Sequence, residues 1–321
     1  MKGFFMSYYK EINIADVKTY SAKDRKSRVD IDREGVPPSA GMTVRMFLNN
    51  LPSIMKADDL KSVAQAVVTA KKNRKPIIVM IGGHVIKTGC SPVLADLAEH
   101  GYITHIASNG SAAIHDTELA RFGHTSEDVT KQLEDGSFGM AADTAQFVNA
   151  AAVRAADRGE GFGEATGAML IEEKAPYLDR ALLAASYRLK IPYTLHVALG
   201  TDIVHQHPSA DGGAIGSASL RDFRILAATV ADLGNGGVVL NLGSAVIMPE
   251  VFLKALSVAR NLGNKVCNFT TANFDMLQHY RPNENVVKRP VLSGGRGYSI
   301  TGHHEIMIPL LAAAIHEAAV S

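Results

Sequence analysis

The sequence contains no tryptophan, and aromatic residues fill only 6% of its 321 positions. A surface that stacks nucleic-acid bases needs such rings, so that class of partner is not expected. Neither sign of charge is in excess: 33 Lys and Arg stand against 32 Asp and Glu. Without a basic stripe, neither nucleic acid nor an anionic membrane is an expected partner. There are only two cysteines, Cys90 and Cys267. They make no disulfide framework and no metal-ligand spacing, which points to a reducing, cytoplasmic setting. No apolar run reaches membrane-spanning length. Met1–Ser7 lead into polar sequence without the apolar core of a secretory signal. What is present is 46% hydrophobic residues, enough for a sizeable core.

The most informative stretch runs from Ile77 to Glu118. Ile77-Ile78-Val79-Met80-Ile81 is a continuous apolar run followed by Gly82-Gly83-His84, and a second strand-like run ends at Asn109-Gly110-Ser111. Continuous apolar runs mark strands buried on both faces of a parallel sheet. Small-residue turns at adjacent strand ends let a backbone approach a phosphate, and the helix behind each turn supplies N–H donors. The same glycines also serve ordinary strand-to-helix turns.

Strands alternate with helices from residue 77 onward. Strands are expected at 103–107, 193–199, 238–242 and 265–269. Helices are expected at 42–73 (two), 91–99, 112–122, 141–157, 176–189, 219–233, 249–261 and from His304 to about Ala319. Residues 275–297 read as loop. The pattern specifies an α/β fold with a doubly wound parallel sheet and an N-terminal helical extension. Residues 1–60 read as arm and helical cover, and 61–321 as the main domain.

Ile81–Gly89, Ser108–Glu118, Ile191–Asp202, Val238–Ile247, Thr270–Asp275, Arg281–Glu284 and Ile308–His316 resemble, in this order, the deoxyhypusine synthase superfamily, a Rossmann-like fold that binds NAD. Thr88-Gly89, Gly101-Tyr102, Asn109 and His115-Asp116 also resemble the NAD-binding domain of archaeal-type ornithine cyclodeaminases. The resemblance implies NAD as cofactor and a homotetramer acting on a small molecule. It places Gly82, Gly83, His84, Lys87 and Thr88 on the phosphate side, and Asn109, Gly110 and Ser111 at the next strand end. Asp116 or Glu118 would hold a ribose hydroxyl. Gly243, Ser244, Thr270, Thr271 and Asp275 would complete the pocket.

The sequence departs from that family at three points. The imine-forming lysine is matched only by Lys288, about two positions early. Met248-Pro249 stand where the family has a histidine pair. Met276-Leu277-Gln278-His279 lack the acid that grips a polyamine. Burying several ammonium groups without carboxylates is unfavourable, so deoxyhypusine synthesis itself is not expected. Arg281, His279 and His207 suggest a substrate that also carries an anionic group. The reading is an NAD-dependent transferase or deaminating cyclase-like enzyme working by transient oxidation and imine chemistry on an amine or amino acid. Lys288, Asp202, His205 and His304 are the chemistry candidates.

Two alternatives remain open at this level. One is a nucleotide-binding regulatory protein without turnover. The other is metal-assisted hydrolysis through His205 and His207, although no third ligand has diagnostic spacing and no metal is assigned. Cys90 follows Thr88-Gly89 at a helix start, where a thiol pKa falls, or it packs as a small residue. Cys267 reads as core. His303-His304-Glu305 opens the last helix as a functional group or as polar capping.

Overall fold

The apolar runs become the middle strands of one parallel sheet. The computed structural model describes residues 8–320, so the Met1–Ser7 segment lies outside the described residues. An extended segment with one helical turn (Ile31–Arg33) leads to α1 (Val44–Asn50) and α2 (Met55–Lys72). Then follow β1 (Ile77–Ile81), α3 (Gly83–Lys87), α4 (Ser91–Glu99), β2 (His105–Asn109) and α5 (Gly110–Phe122). The helices α6 (Val129–Leu133), α7 (Ala142–Arg158), α8 (Phe162–Glu172) and α9 (Leu182–Leu189) precede β3 (Tyr193–His196). The chain ends through α10 (Gly212–Ala231), β4 (Val238–Leu242), α11 (Ile247–Asn261), β5 (Phe269–Asp275), a turn α12 (Tyr280–Pro282), β6 (Gly295–Thr301) and α13 (His304–Ala319).

The strand order is β3-β2-β1-β4-β5-β6, every pair parallel. The order in which strands are added reverses between β1 and β4, where Ile81 pairs with Leu242. In an open sheet of this kind, ligands bind outside the carboxyl ends of the strands at that switch point. Side chains alternate across the sheet. Ile77, Val79 and Ile81 pack with α2, α4, α5 and α13, whereas Ile78, Met80 and Val239 pack with α10 and α11.

The edge of β3 is closed by side chains of α10. Leu195 N donates to Asp222 Oδ2 (2.7 Å) and Val197 N to Ser219 Oγ (3.0 Å), which leaves these edge amides partnered. Two histidines are buried inside the sheet layer. His105 spans Thr229 and Thr194 at 2.8 and 3.0 Å, and His196 reaches Thr194 at 2.9 Å. Burial lowers both to about 3, so they stay neutral. Among the described residues no helix is long and apolar enough to cross a membrane.

Four sequence expectations change. The apolar run before Phe269 is loop, and β5 starts four residues later than expected. Cys267 lies in that loop, half-buried. Strand β6, Gly-Arg-Gly-Tyr-Ser-Ile-Thr, stands in the segment read as loop; as an exposed edge it needs few apolar residues. Residues 162–172, unassigned above, form α8. The 60/61 boundary falls inside α2, whose buried face (Leu60, Val63, Ala64, Val67) is continuous.

Candidate active site

Gly82 follows β1 and Gly243 follows β4, so the switch point is walled by two residues without side chains. A Cβ on Gly82 would stand 2.5 Å from Gly243 O. Gly243 adopts φ +70°, and its Cβ would meet the His304 ring at 2.6 Å. Both glycines are therefore required by close packing. His304 enters from the turn between β6 and α13 and is 1% exposed. Its Nε2 lies 3.3 Å from Phe274 O. A carbonyl can only accept, so Nε2 carries the hydrogen and Nδ1 holds a lone pair. That Nδ1 is buried without a partner. The exposed His84 ring faces it edge-on, centroids 5.7 Å apart. Burial lowers the His84 pKa, and the neighbouring His304 and Lys87 lower it further against Asp275 and Glu305. Asp275, at the end of β5, is also buried here.

A second wall begins at Gly83, whose Cβ would collide with Ser111 Oγ and lie 3.1 Å from His115. Ser111 and His115 are four residues apart on α5 and share a face. They line a cavity of about 240 Å³ with Lys87, Glu118, Glu127 and Asp202. Thr125 Oγ1 stands 2.7 Å from His115 Nδ1 and donates to Glu118, which also accepts from Thr144 (2.9 Å). Burial raises the Glu118 pKa, but the hydrogen bonds from His115, Thr125 and Thr144 outweigh it and hold the carboxylate below its ordinary range. Asp202 packs directly on Gly110, leaving no room for a Cβ there. Burial pushes Asp202 up to about 6. His205 Nδ1 accepts from Gly200 N (3.1 Å) and Asp202 N (3.3 Å), and its Nε2 is 3.9 Å from Asp202 Oδ2. Burial lowers the His205 pKa.

Gly82, Gly83, His84, Gly110, Ser111, Asp202, His205, Gly243, Ser244, Asp275 and His304 thus gather at the strand carboxyl ends. Several other candidates do not. Asp116 points the other way: its fully buried carboxylate accepts from Leu182 N (3.0 Å), Leu183 N (2.8 Å) and Ser91 Oγ (3.5 Å), capping α9. Burial pushes it up to about 6 against those bonds. Thr271 lies four residues before the end of β5, about 13 Å away at the rise of a strand. Thr270 is one residue further back, beside Lys61 and Arg296. Lys288 is exposed and ion-paired with Glu284 at 2.7 Å, so it is not the desolvated amine an imine needs.

Asn109 spends its side chain capping α5 through Ala112 N, and Thr88 returns its hydroxyl to His84 O. Ser244 Oγ accepts from Met248 N. His207 donates to Gly139 O (2.8 Å), away from His205, so the two rings do not converge on a metal. Burial raises the Cys90 thiol pKa, opposite to the expectation from its helix start.

Sequence reasoning named Ser111 and Glu118 as cofactor contacts but missed the single α5 face they share with His115, although its i, i+4, i+7 spacing was readable. It also missed Asn241, Asn273 and Gln278. Asn241 Nδ2 donates to Ser244 O (2.9 Å) and Asn273 Oδ1 (2.7 Å), and Asn273 Nδ2 donates to Gln278 Oε1 (2.8 Å). These bonds fix the loops after β4 and β5. A polar residue inside an apolar strand was the available signal.

This strand order and these carboxyl-end turns agree with known folds. Residues 61–152, under a third of the chain, match the family model of the arginine dihydrolase ArgZ-like C-terminal Rossmann fold. A protein of Entamoeba histolytica described as a deoxyhypusine synthase superposes with TM-score 0.50, covering 88% of this chain and 96% of its own, at 11% identity. The fold is deoxyhypusine synthase-like. A protein of Methanococcus maripaludis S2 described as of the LOR/SDH type aligns with TM-score 0.50 over 88% of this chain and 73% of its own, at 17% identity. AgrE, in a ternary complex with ornithine and NAD+, aligns with TM-score 0.50 over 80% of this chain at 14% identity. The present chain spans about a third of AgrE, 32%. No curated protein matches the sequence.

Proposed function

We propose that the protein is an NAD-dependent enzyme acting on a primary amine or a basic amino acid. The observation that carries this reading is the pairing of two features at one sheet edge. A buried histidine with an unpartnered ring nitrogen stands at the switch point, and Ser111 and His115, packed against Gly83, line an acid-rich cavity. The donors that suit an anionic dinucleotide are Lys87 and the Ser111 hydroxyl. The buried Asp275 carboxylate suits ribose hydroxyls. Bound NAD would supply the hydride acceptor for the carbon that bears the amine or hydroxyl.

This chain's residues supply the rest. His304 Nδ1 takes the proton released from the substrate nitrogen or oxygen, with its ring held by Phe274 O and the Gly243 backbone. Asp202 and Glu118 hold the substrate ammonium. Asp202, titrating near 6, serves as the acid–base group for the imine that oxidation produces. Lys288 has no part in the reaction. A cytoplasmic homotetramer belongs to the same reading, in which the exposed apolar Leu199, Leu220 and Val246 offer a surface for subunit contact.

Calorimetric titration tests it, with NAD and with ornithine or a diamine. Saturable NAD binding, and an amine affinity that falls at least about tenfold in Asp202→Asn, support the proposal. NAD binding with no amine binding favours a regulatory nucleotide-binding protein. No NAD binding under any condition refutes both.

A further inference from the structure

We propose that Asp96, His100 and His316 form a zinc-class cation site that clamps α4 to α13, independent of the active site. Asp96 and His100 stand one turn apart at the end of α4, and His316 lies in the last turn of α13. Asp96 Oδ2 is 2.8 Å from His316 Nε2, and Asp96 Oδ1 is 3.2 Å from His100 Nδ1. One ligand atom from each of the three residues fits within 4.8 Å of the others. Ligand bonds of about 2.0–2.1 Å in a tetrahedron require donors about 3.3–3.4 Å apart, so these side chains already stand near the separations a small cation demands. The two imidazoles lie 5.1 Å apart and nearly perpendicular, and His316 is further seated edge-on against Tyr102.

The donor set selects the metal. Two imidazoles and one carboxylate favour Zn²⁺, Co²⁺ or Ni²⁺ over Mg²⁺ and Ca²⁺, which prefer oxygen. His100 Nδ1 is also 2.9 Å from Asp96 O, so a cation bound there replaces this hydrogen bond, with the ring hydrogen on Nε2. The three residues are half-exposed or exposed, which leaves water to complete the coordination. The site lies at the far ends of two helices whose starts meet at the active site, where Cys90 Sγ reaches His304 O at 3.7 Å. The twelve steps from His304 to His316 rise about 18 Å along the helix, and Pro309 interrupts them. A cation there cross-links residues far apart in sequence and opposes separation of the last helix from α4.

The test uses the untagged full chain, stripped with chelator and titrated with Co²⁺ and then Zn²⁺. The proposal expects one Co²⁺ per chain with a visible ligand-field spectrum that Zn²⁺ displaces. It expects Tm to rise by about 4 °C at a hundredfold excess of free metal over Kd. His316→Ala and Asp96→Asn should each weaken binding by at least about tenfold, whereas His207→Ala should leave it unchanged. Both helix positions are solvent-accessible, and circular dichroism verifies that the variants fold. Failure to bind stoichiometrically, or binding lost in His207→Ala and kept in His316→Ala, overturns the proposal.

Discussion

Replacing Asp116 separates a structural carboxylate from a ribose ligand. In the structure Asp116 satisfies two first-turn amides of α9 and the Ser91 hydroxyl. Asp116→Ala leaves these donors buried without partners, at about 1–3 kcal/mol each. The expected loss is about 3–5 kcal/mol at pH 5. For a 321-residue chain, with an unfolding entropy of about 2.1 cal/mol/K per residue, that lowers Tm by about 4–7 °C. The pH dependence has a definite sign. The folded carboxyl titrates at about 6 against an ordinary 3.8. Its contribution is therefore fully present below the unfolded value and is lost as pH rises through the folded one. The difference between wild type and variant should narrow by about 1–2 kcal/mol from pH 5 to pH 7. Urea denaturation at several pH values measures this, alongside NAD titration of the folded variant. An unchanged stability with lost NAD affinity would refute the structural role and return Asp116 to the cofactor.

Gly243→Ala forces a Cβ onto the His304 ring and a side chain into φ +70°. It should cost about 1–3 kcal/mol by thermal denaturation, and turnover should fall further than stability explains. Lys288→Ala should change stability by less than about 0.5 kcal/mol, as expected for an exposed ion pair. It should also leave turnover unaltered; a loss above about tenfold would restore lysine imine chemistry. Asp202→Asn should abolish an acidic limb near pH 6 in the kcat/KM profile, and persistence of that limb would assign it to another group.

The sheet was readable because its central strands are unbroken apolar runs, and the turns after β1, β2 and β4 declare themselves by glycine. The positions that escaped reading have physical reasons. Thr270 and Thr271 were placed at a strand end because Val266-Cys267 read as the strand; the apolar run packs in the loop instead. Asp116 had the right residue type for a ribose, but its direction depends on the α9 amides, which sit 66 residues away. The glycines at the strand ends looked like a phosphate cradle. In the structure the room they save is taken by Gly243 O, Ser111, Asp202 and His304. Lys288 stays at the surface, paired with Glu284 one helical turn back.

The central claim is that His304 serves hydride removal from an amine at the β1/β4 switch point. Near-ultraviolet absorbance of reduced nicotinamide, followed when ornithine or a diamine is added to the protein with NAD, tests it most directly. The expected result is an amine-dependent rise that His304→Gln slows by about 10²–10⁴-fold while NAD still binds. NAD binding without any amine-dependent absorbance, or a rise that His304→Gln leaves intact, would contradict it.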